Sequence, residues 1–438
     1  MKRSLYTDLL DWKKSQKRKP LLLQGARQVG KTYLINEFAH KEYKNYIYLN
    51  FELDPNLEIL FQGKLDPKEI MQNISLYFGK KIDHKDTLIF FDEIQIIPRA
   101  ISSLKYFYEQ APEFHVVAAG SLLGVSVGKQ SSFPVGKVNF LQMYPLNFSE
   151  YLMAFKEDLL LNELKKHKVG TPIIELLHQK LLTHLKMYLF LGGMPEVLQD
   201  FIKYNDIKSA RLIQNEILTA YEKYFSKYAV PSQAVKTAEL WRSIPFQLAR
   251  ENKKFKYGDV RKNSRASTYE QTIEWLKSAG LIHVSYSINT PKLPLAAYTD
   301  YSKFKLFMLD TGLLGAMLNI SSEIIINPNK LFAEYNGAFI ENFVALELKS
   351  AGVNQLYYWT SKSDAEVDFI IQLQNAIFPL EVKSGHSRNL KSIRTYEEKY
   401  KPSCIFRVSP RNFFTDKEFV DLPLYGAFLL KDDLLEKR

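Results

Sequence analysis

Gly25-Ala26-Arg27-Gln28-Val29-Gly30-Lys31-Thr32 has the residue types and spacing to grip a polyphosphate. It meets the pattern G-x-x-x-x-G-K-[ST] in full, follows the apolar run Leu21 to Gln24, and opens a segment of helical pattern, Tyr33 to Phe38. Glycines let backbone N–H groups close on phosphate oxygens, and a helix that starts there turns the positive end of its dipole toward them. Lys31 is expected to neutralise the β and γ phosphates and the Thr32 hydroxyl to ligate magnesium, so the expected cofactors are ATP and Mg²⁺.

Two further apolar runs end in residues that could complete such a site. Thr87-Leu88-Ile89-Phe90-Phe91 leads into Asp92-Glu93. A carboxylate at Asp92 would hold the magnesium through water, and Glu93 would orient and polarise the attacking water. His115 to Ala119 ends in Gly120-Ser121, where a hydroxyl at Ser121 would contact the γ phosphate or the water.

A second group with metal chemistry lies near the C-terminus. Glu366 to Leu373 and Ala376 to Lys383 alternate apolar and polar residues around Gln374-Asn375. A turn at that pair sets Asp368 opposite Glu381. Val367, Phe369, Ile371, Leu373, Ala376, Phe378, Leu380 and Val382 then share an apolar face, and Glu366, Asp368, Glu381 and Lys383 share the other. Asp368 and Glu381 would supply hard oxygen ligands to magnesium and Lys383 would position or activate water, as in a metal-dependent phosphodiesterase. The competing reading is a set of cross-strand acid and lysine pairs that stabilise a solvent-facing hairpin.

These groups need scaffolds. From Pro20 to Phe148 short runs rich in Leu, Ile, Val and Phe, including Tyr46 to Phe51 and Val138 to Met143, alternate with helix-length segments, which predicts a mainly parallel sheet. Residues 151–245 show helical periodicity punctuated by Gly192, Gly193 and Pro195. Residues 246–300 read as helix, turn, helix (Ser267 to Ala279), a short strand (Leu281 to Tyr286) and a Pro-containing return, the order of a winged helix-turn-helix. The expected division is therefore 1–150 for a P-loop ATPase domain, 151–245 for a helical lid or connector, 246–300 for a winged helix, and 301–438 for a C-terminal α/β domain.

Composition narrows the function. Hydrophobic residues make up 46% and charged residues 24%, the balance of a folded globular protein. No apolar run approaches the ~20 residues that span a bilayer, and the first residues show no leader pattern, so a cytoplasmic location and no membrane partner are expected. One cysteine, Cys404, excludes an internal disulfide. The net charge of +11 favours a polyanionic partner, with DNA the leading expectation. Residues 250–265 hold seven Lys or Arg against two acids beside the expected helix-turn-helix, with Asn263, Ser264 and Arg265 placed to add phosphate contacts.

Together GARQVGKT, LIFFDEIQ, AAGSLLG, PVGKVNFLQMYPLNFSEYL and GGMPEVL resemble the prokaryotic AAA-type ATP-binding proteins that carry a C-terminal domain of unknown function. The likeness runs through nearly the whole chain. It implies an AAA-type ATPase fold, and it points to Lys137, where the family often has arginine, as the position of a transition-state finger. Lysine keeps the charge and loses the planar fork; Arg27 and Arg99 are the other basic residues near the site. The set Asp368, Glu381 and Lys383 is similar to the PD-(D/E)xK nuclease superfamily, which implies an additional acid from a preceding helix, here Glu341. The function expected is ATP binding and hydrolysis coupled to DNA binding or processing, with metal-dependent cleavage by the C-terminal domain. The alternative is an ATP-dependent switch that acts on protein partners, or as a homo-oligomer, with a catalytically silent nuclease-like domain.

Overall fold

The structure, a computed structural model, describes residues 1–121, 133–228, 231–250, 253–321, 337–361, 365–385, 391–416 and 418–430. The chain divides into two compact units, one of Met1–Tyr144 with Ser278–Leu281 and one of Pro145–Lys277 with Ile282–Arg438. The second unit thus runs across all three segments that the sequence reading places after residue 150.

The first unit is built on five parallel strands: β1 (Leu21–Gln24), β2 (Asn45–Asn50), β3 (Thr87–Asp92), β4 (His115–Gly120) and β5 (Asn139–Gln142), in the order β2-β3-β4-β1-β5. β3 and β4 are buried at every residue, which explains their uninterrupted apolar composition: helices cover both faces of a parallel sheet. Ile47, Leu49, Phe51, Ile89, Phe91, Val116 and Ala118 meet Ile70, Ile74, Leu104 and Phe107 of the covering helices in one core. The five apolar runs seen in the sequence are these five strands, with ends shifted by a residue or two.

The second unit begins with helices, among them Glu175–Leu191, Pro195–Tyr204, Ile207–Tyr228 and Pro231–Leu248, as the periodicity of 151–245 predicts. Gly193 in the GGMP motif has no room for a side chain: a Cβ there would stand 2.0 Å from the Leu146 carbonyl oxygen. Its N–H donates to the buried Asp310 carboxylate and its carbonyl accepts from the Leu146 N–H at 2.7 Å. The motif is a close backbone crossing, and glycine is what permits it.

Behind these helices lies an eight-stranded sheet. Its strands are β6 (Ile282–Ile288), β7 (Thr299–Met308), β8 (Leu356–Thr360), β9 (Glu366–Leu373), β10 (Ala376–Val382), β11 (Ile405–Ser409), β12 (Phe414–Thr415) and β13 (Phe419–Pro423), ordered β12-β13-β11-β10-β9-β8-β6-β7. β6 and β7 follow the helices Tyr257–Val260 and Ala266–Ser278. They also form one end of the large sheet, because β6 pairs with β7 on one side and in parallel with β8 on the other. The β9-β10 hairpin has the register read from the sequence, Ala376 opposite Leu373 through Leu380 opposite Phe369. Among the described residues no helix is long and apolar enough to cross a membrane.

Candidate functional site

The P-loop is shaped by residues with left-handed backbone. Gly25 has φ +153° and lies against β5, where a Cβ would meet the Met143 carbonyl oxygen at 2.2 Å. Gly30 has φ +94°, and Gln28, with φ +63°, adopts a conformation that costs a non-glycine residue about 1–2 kcal/mol. These turns wrap the loop around the start of the helix Lys31–Glu42 and aim its first amides inward. Arg3 ties the loop down, donating from Nη1 to the Val29 carbonyl at 2.9 Å and from Nη2 to the Tyr144 carbonyl at 2.6 Å.

Lys31 is buried, and its ammonium donates to the Gly25 and Ala26 carbonyls at 2.9 and 2.7 Å. Burial pulls its pKa down to about 8, against the opposing charges of Glu93 and Asp92; Arg27 adds to the lowering. A bound polyphosphate would favour the charged form. Above pH 8 nucleotide binding is therefore expected to draw a proton from buffer, up to one per site, while below pH 7 uptake by Lys31 vanishes. Titration calorimetry in buffers of different ionisation enthalpy measures this, and equal apparent enthalpies at pH 8.5 would contradict it.

Thr32 and Asp92 meet: the Thr32 hydroxyl donates to Asp92 Oδ2 at 2.8 Å. The same oxygen accepts from Tyr48 Oη at 2.9 Å, and Tyr48 in turn accepts from Asn50 Nδ2 at 2.8 Å. Asp92 Oδ1 accepts from the Glu93 amide at 3.1 Å. Glu93 itself sits in the left-handed region, φ +52°, and its carboxylate accepts from Gln95 Nε2. β4 lies between β1 and β3, and its last residue, Gly120, pairs with Gln24. Buried Ser121 therefore emerges between the P-loop and the Asp92-Glu93 strand end. The hydroxyl and carboxylate are the donor set that a magnesium held against phosphates uses, and the glycine cradle leaves main-chain N–H groups to face the phosphates.

The three basic residues considered for a finger are otherwise engaged. Lys137 pairs with Glu109 at 3.1 Å and precedes β5, at the end of the sheet opposite the P-loop. Counting strand rise, it lies roughly 20 Å from its own loop. Arg99 donates to the carbonyls of Phe61 and Gly63 at 2.5 and 2.6 Å, and Arg27 is 3.6 Å from Glu52.

In the second unit the helix Gly337–Ser350 brings Glu341 to the acids of the hairpin. Asp368 Oδ2 accepts from the Val382 amide at 2.8 Å, and Lys383 Nζ donates to Glu381 Oε1 at 2.5 Å. Glu381 Oε2 is buried with no hydrogen-bond partner. Two lysines not expected at these acids also enter, Lys253 from the basic segment 250–265 and Lys305. Lys253 pairs with Glu341 Oε1, and Lys305, wholly buried on β7, pairs with Glu341 Oε2 at 3.4 Å and with Glu366. Burial raises the Asp368 carboxyl well above the usual range, helped by the charges of Glu341 and Glu381, and it also raises Glu381 against the pull of Lys383. Burial acts the same way on Glu341, but Lys253 and Lys305 outweigh it and hold that carboxyl low, at about 2. Among the described residues no group of three or more His, Cys, Asp or Glu has the arrangement of a metal cage.

The sequence reading named Lys31, Thr32, Asp92, Glu93 and Ser121, and the fold brings all five to one end of the parallel sheet. It missed Arg3, Tyr48, Asn50 and Gln95, whose partners are set by strand order and chain return. Lys305 had a readable signal, a lysine inside the apolar run Phe304 to Met308.

Residues 17–152 match the family described as AAA domain, and 182–324 and 336–425 match two families each described as a domain of unknown function. A protein of Methanocaldococcus jannaschii is 26% identical over 201 residues, 42% of this chain and 40% of its own length. One of Mycobacterium tuberculosis is 35% identical over 80 residues, 18% of this chain and 17% of its own. Both are named as uncharacterized, and the chain spans well under half of either. Among solved structures, a Walker-type ATPase of Pyrococcus abyssi aligns over 72% of this chain and 95% of its own at 14% identity, TM-score 0.43. The ORC1 protein of Aeropyrum pernix, solved in complex with DNA, aligns over 72% and 90% at 12% identity, TM-score 0.29. Likenesses this weak carry no argument of their own. The AAA match and the P-loop geometry make the first unit a P-loop AAA-type ATPase domain.

Proposed function

We propose that this chain binds Mg²⁺·ATP on Gly25 to Thr32, hydrolyses it, and couples its nucleotide state to DNA binding through the second unit. The observation that carries the nucleotide half is the 2.8 Å hydrogen bond between Thr32 and Asp92, with Lys31 and Glu93 on either side. In this reading Lys31 transfers its hydrogen bonds from the loop carbonyls to the β and γ phosphates. Thr32 Oγ1, and Asp92 through water, would hold the magnesium, which would supply neutralisation of phosphate charge. Glu93 takes the proton of the attacking water, Gln95 fixes the orientation of its carboxylate, and Ser121 contacts the γ phosphate.

The DNA half rests on the basic segment. Three of its cations are used inside the chain, Arg250 with Asp259, Arg261 with Glu239 and Lys253 with Glu341. Lys256, Lys262 and Arg265 remain on the exposed surface. Phosphate contacts by these three predict binding that weakens with salt. Replacing all three by alanine should flatten the log–log salt slope by about 2–3. Fluorescence anisotropy with a labelled duplex, with and without a non-hydrolysable ATP analogue, tests this. No nucleic-acid binding at any salt would favour a protein partner instead.

Two readings of the C-terminal acids remain, and one division of the chain, 151–245, 246–300 and 301–438, serves both. Metal-dependent DNA cleavage by Asp368, Glu381 and Lys383, with Glu341, is supported by the order helix, three antiparallel strands, helix, parallel strand from Gly337 to Ser409. A catalytically silent domain in an ATP-operated switch is favoured by the two lysines that hold both oxygens of Glu341. We adopt the second. A cytoplasmic location suits either.

A further inference from the structure

We infer that Lys253 and Lys305 stand, as built-in cations, where a divalent metal would have to bind among the C-terminal acids, so that the cluster is an internally paired ion network and takes up no metal. The inference rests on the silent-domain reading above and gives it a cause.

Lys305 is the anchor. It comes from β7, outside the helix and hairpin that carry the acids, and no part of it reaches solvent. A buried ammonium is tolerated only when anions surround it, and Lys305 has Glu341 and Glu366 in direct ion pairs with its charge over the ring of Tyr358 at 5.0 Å. The acids are thus already required by a resident cation. Lys253 then takes the other oxygen of Glu341 and packs 3.3 Å from where a Cβ would stand on Gly337.

The remaining acids are also committed. Asp368 Oδ2 is bound to the Val382 amide and Glu381 Oε1 to Lys383. Four carboxylates, Glu341, Glu366, Asp368 and Glu381, face three ammoniums, Lys253, Lys305 and Lys383, which leaves a formal charge of minus one. Magnesium or manganese needs about six oxygens at roughly 2.1 Å, among them one or two carboxylates that converge on one point with oxygens free to bind. Glu341 offers no free oxygen, and any ion close enough to bridge Asp368 and Glu381 would sit against ammonium groups. Glu381 Oε2, buried without a hydrogen-bond partner, cannot hold a metal alone.

The experiment uses the full chain without nucleotide, in an Asp92→Asn background so that the P-loop contributes nothing. Mn²⁺ uptake is read by loss of the free-ion electron paramagnetic resonance signal, and melting temperature is measured with and without Mn²⁺. No uptake and an unchanged melting temperature are expected. Adding Lys253→Met and Lys305→Met removes both cations, and that protein should bind one equivalent of Mn²⁺ and melt several degrees higher with it. Should the double replacement fail to fold, Lys253→Met alone, at a partly exposed position, is expected to show weak uptake that raises its melting temperature. Uptake of one equivalent by the protein with both lysines intact, lost on Asp368→Asn, would overturn the inference. So would lysine variants that fold and remain indifferent to Mn²⁺. Neither result touches nucleotide binding, which is measured separately on the parent chain, so failure here leaves the ATPase reading standing.

Discussion

Lys31→Ala is expected to weaken nucleotide binding by on the order of 10²–10³ and to abolish measurable ATP hydrolysis. Lys31 is 8% exposed, so its ammonium meets a phosphate in a poorly hydrated setting where its charge is little screened. Hydrogen bonds to charged groups contribute about 1.5–3 kcal/mol each, and two phosphate contacts would together supply about 3–4 kcal/mol, or two to three decades in affinity. The fold should tolerate the change, because the hydrogen bonds of Lys31 go to the carbonyls of Gly25 and Ala26, which can turn to water when the side chain is gone. Lys31→Arg keeps the charge, but its wider planar head does not fit between those two carbonyls, so it should also lose binding, though less. Filter binding with labelled ATP and magnesium, backed by circular dichroism, decides the matter. Parent-like affinity in Lys31→Ala would remove the foundation of the functional reading.

Glu93→Gln is expected to leave nucleotide affinity near that of the parent and to slow turnover by about 10²–10⁴. The amide has nearly the shape of the carboxylate and cannot accept a proton from water. Its neighbour Asp92 keeps its own partners, Thr32 and Tyr48, so the metal-binding pair should be undisturbed. Glu93 also occupies a left-handed backbone position, and a strained residue at a strand end is held there only because its surroundings over-determine it. Glutamine at the same position keeps that strain, so a fall in kcat with unchanged affinity isolates the chemistry of the carboxylate. Single-turnover kinetics with equal nucleotide loading provides the measurement. An unchanged rate would reassign Glu93 to shaping the turn and leave the proton acceptor to another residue.

The two candidate sites were legible to different depths. For the P-loop, local sequence suffices: glycines that allow φ +153° and +94°, a lysine, a hydroxyl and the start of a helix are consecutive, so the motif and its geometry are nearly the same statement. The apolar runs showed where strands would form, and the alternation around Gln374-Asn375 showed the hairpin register, because a one-residue slip would expose Val367, Phe369 and Leu380. The 246–300 segment shows the limit. Its helices and hairpin read correctly as elements, but nothing local to Ile282–Ile288 says that its second edge would be taken by β8, more than sixty residues later.

By itself, the sequence determined what is short-range: the phosphate loop, the acids at the end of an apolar strand, and the register of the tight hairpin that carries Asp368 and Glu381. Tertiary structure alone decided the strand order that puts Ser121 between P-loop and Asp92, the Tyr48 and Arg3 braces, and the arrival of Lys253 and Lys305 at Glu341. The reason is physical. Backbone dihedrals and side-chain alternation are set by neighbours in the chain, whereas the partner of a buried charge is whichever group the packing delivers, and a lone lysine in a strand does not say which acid awaits it.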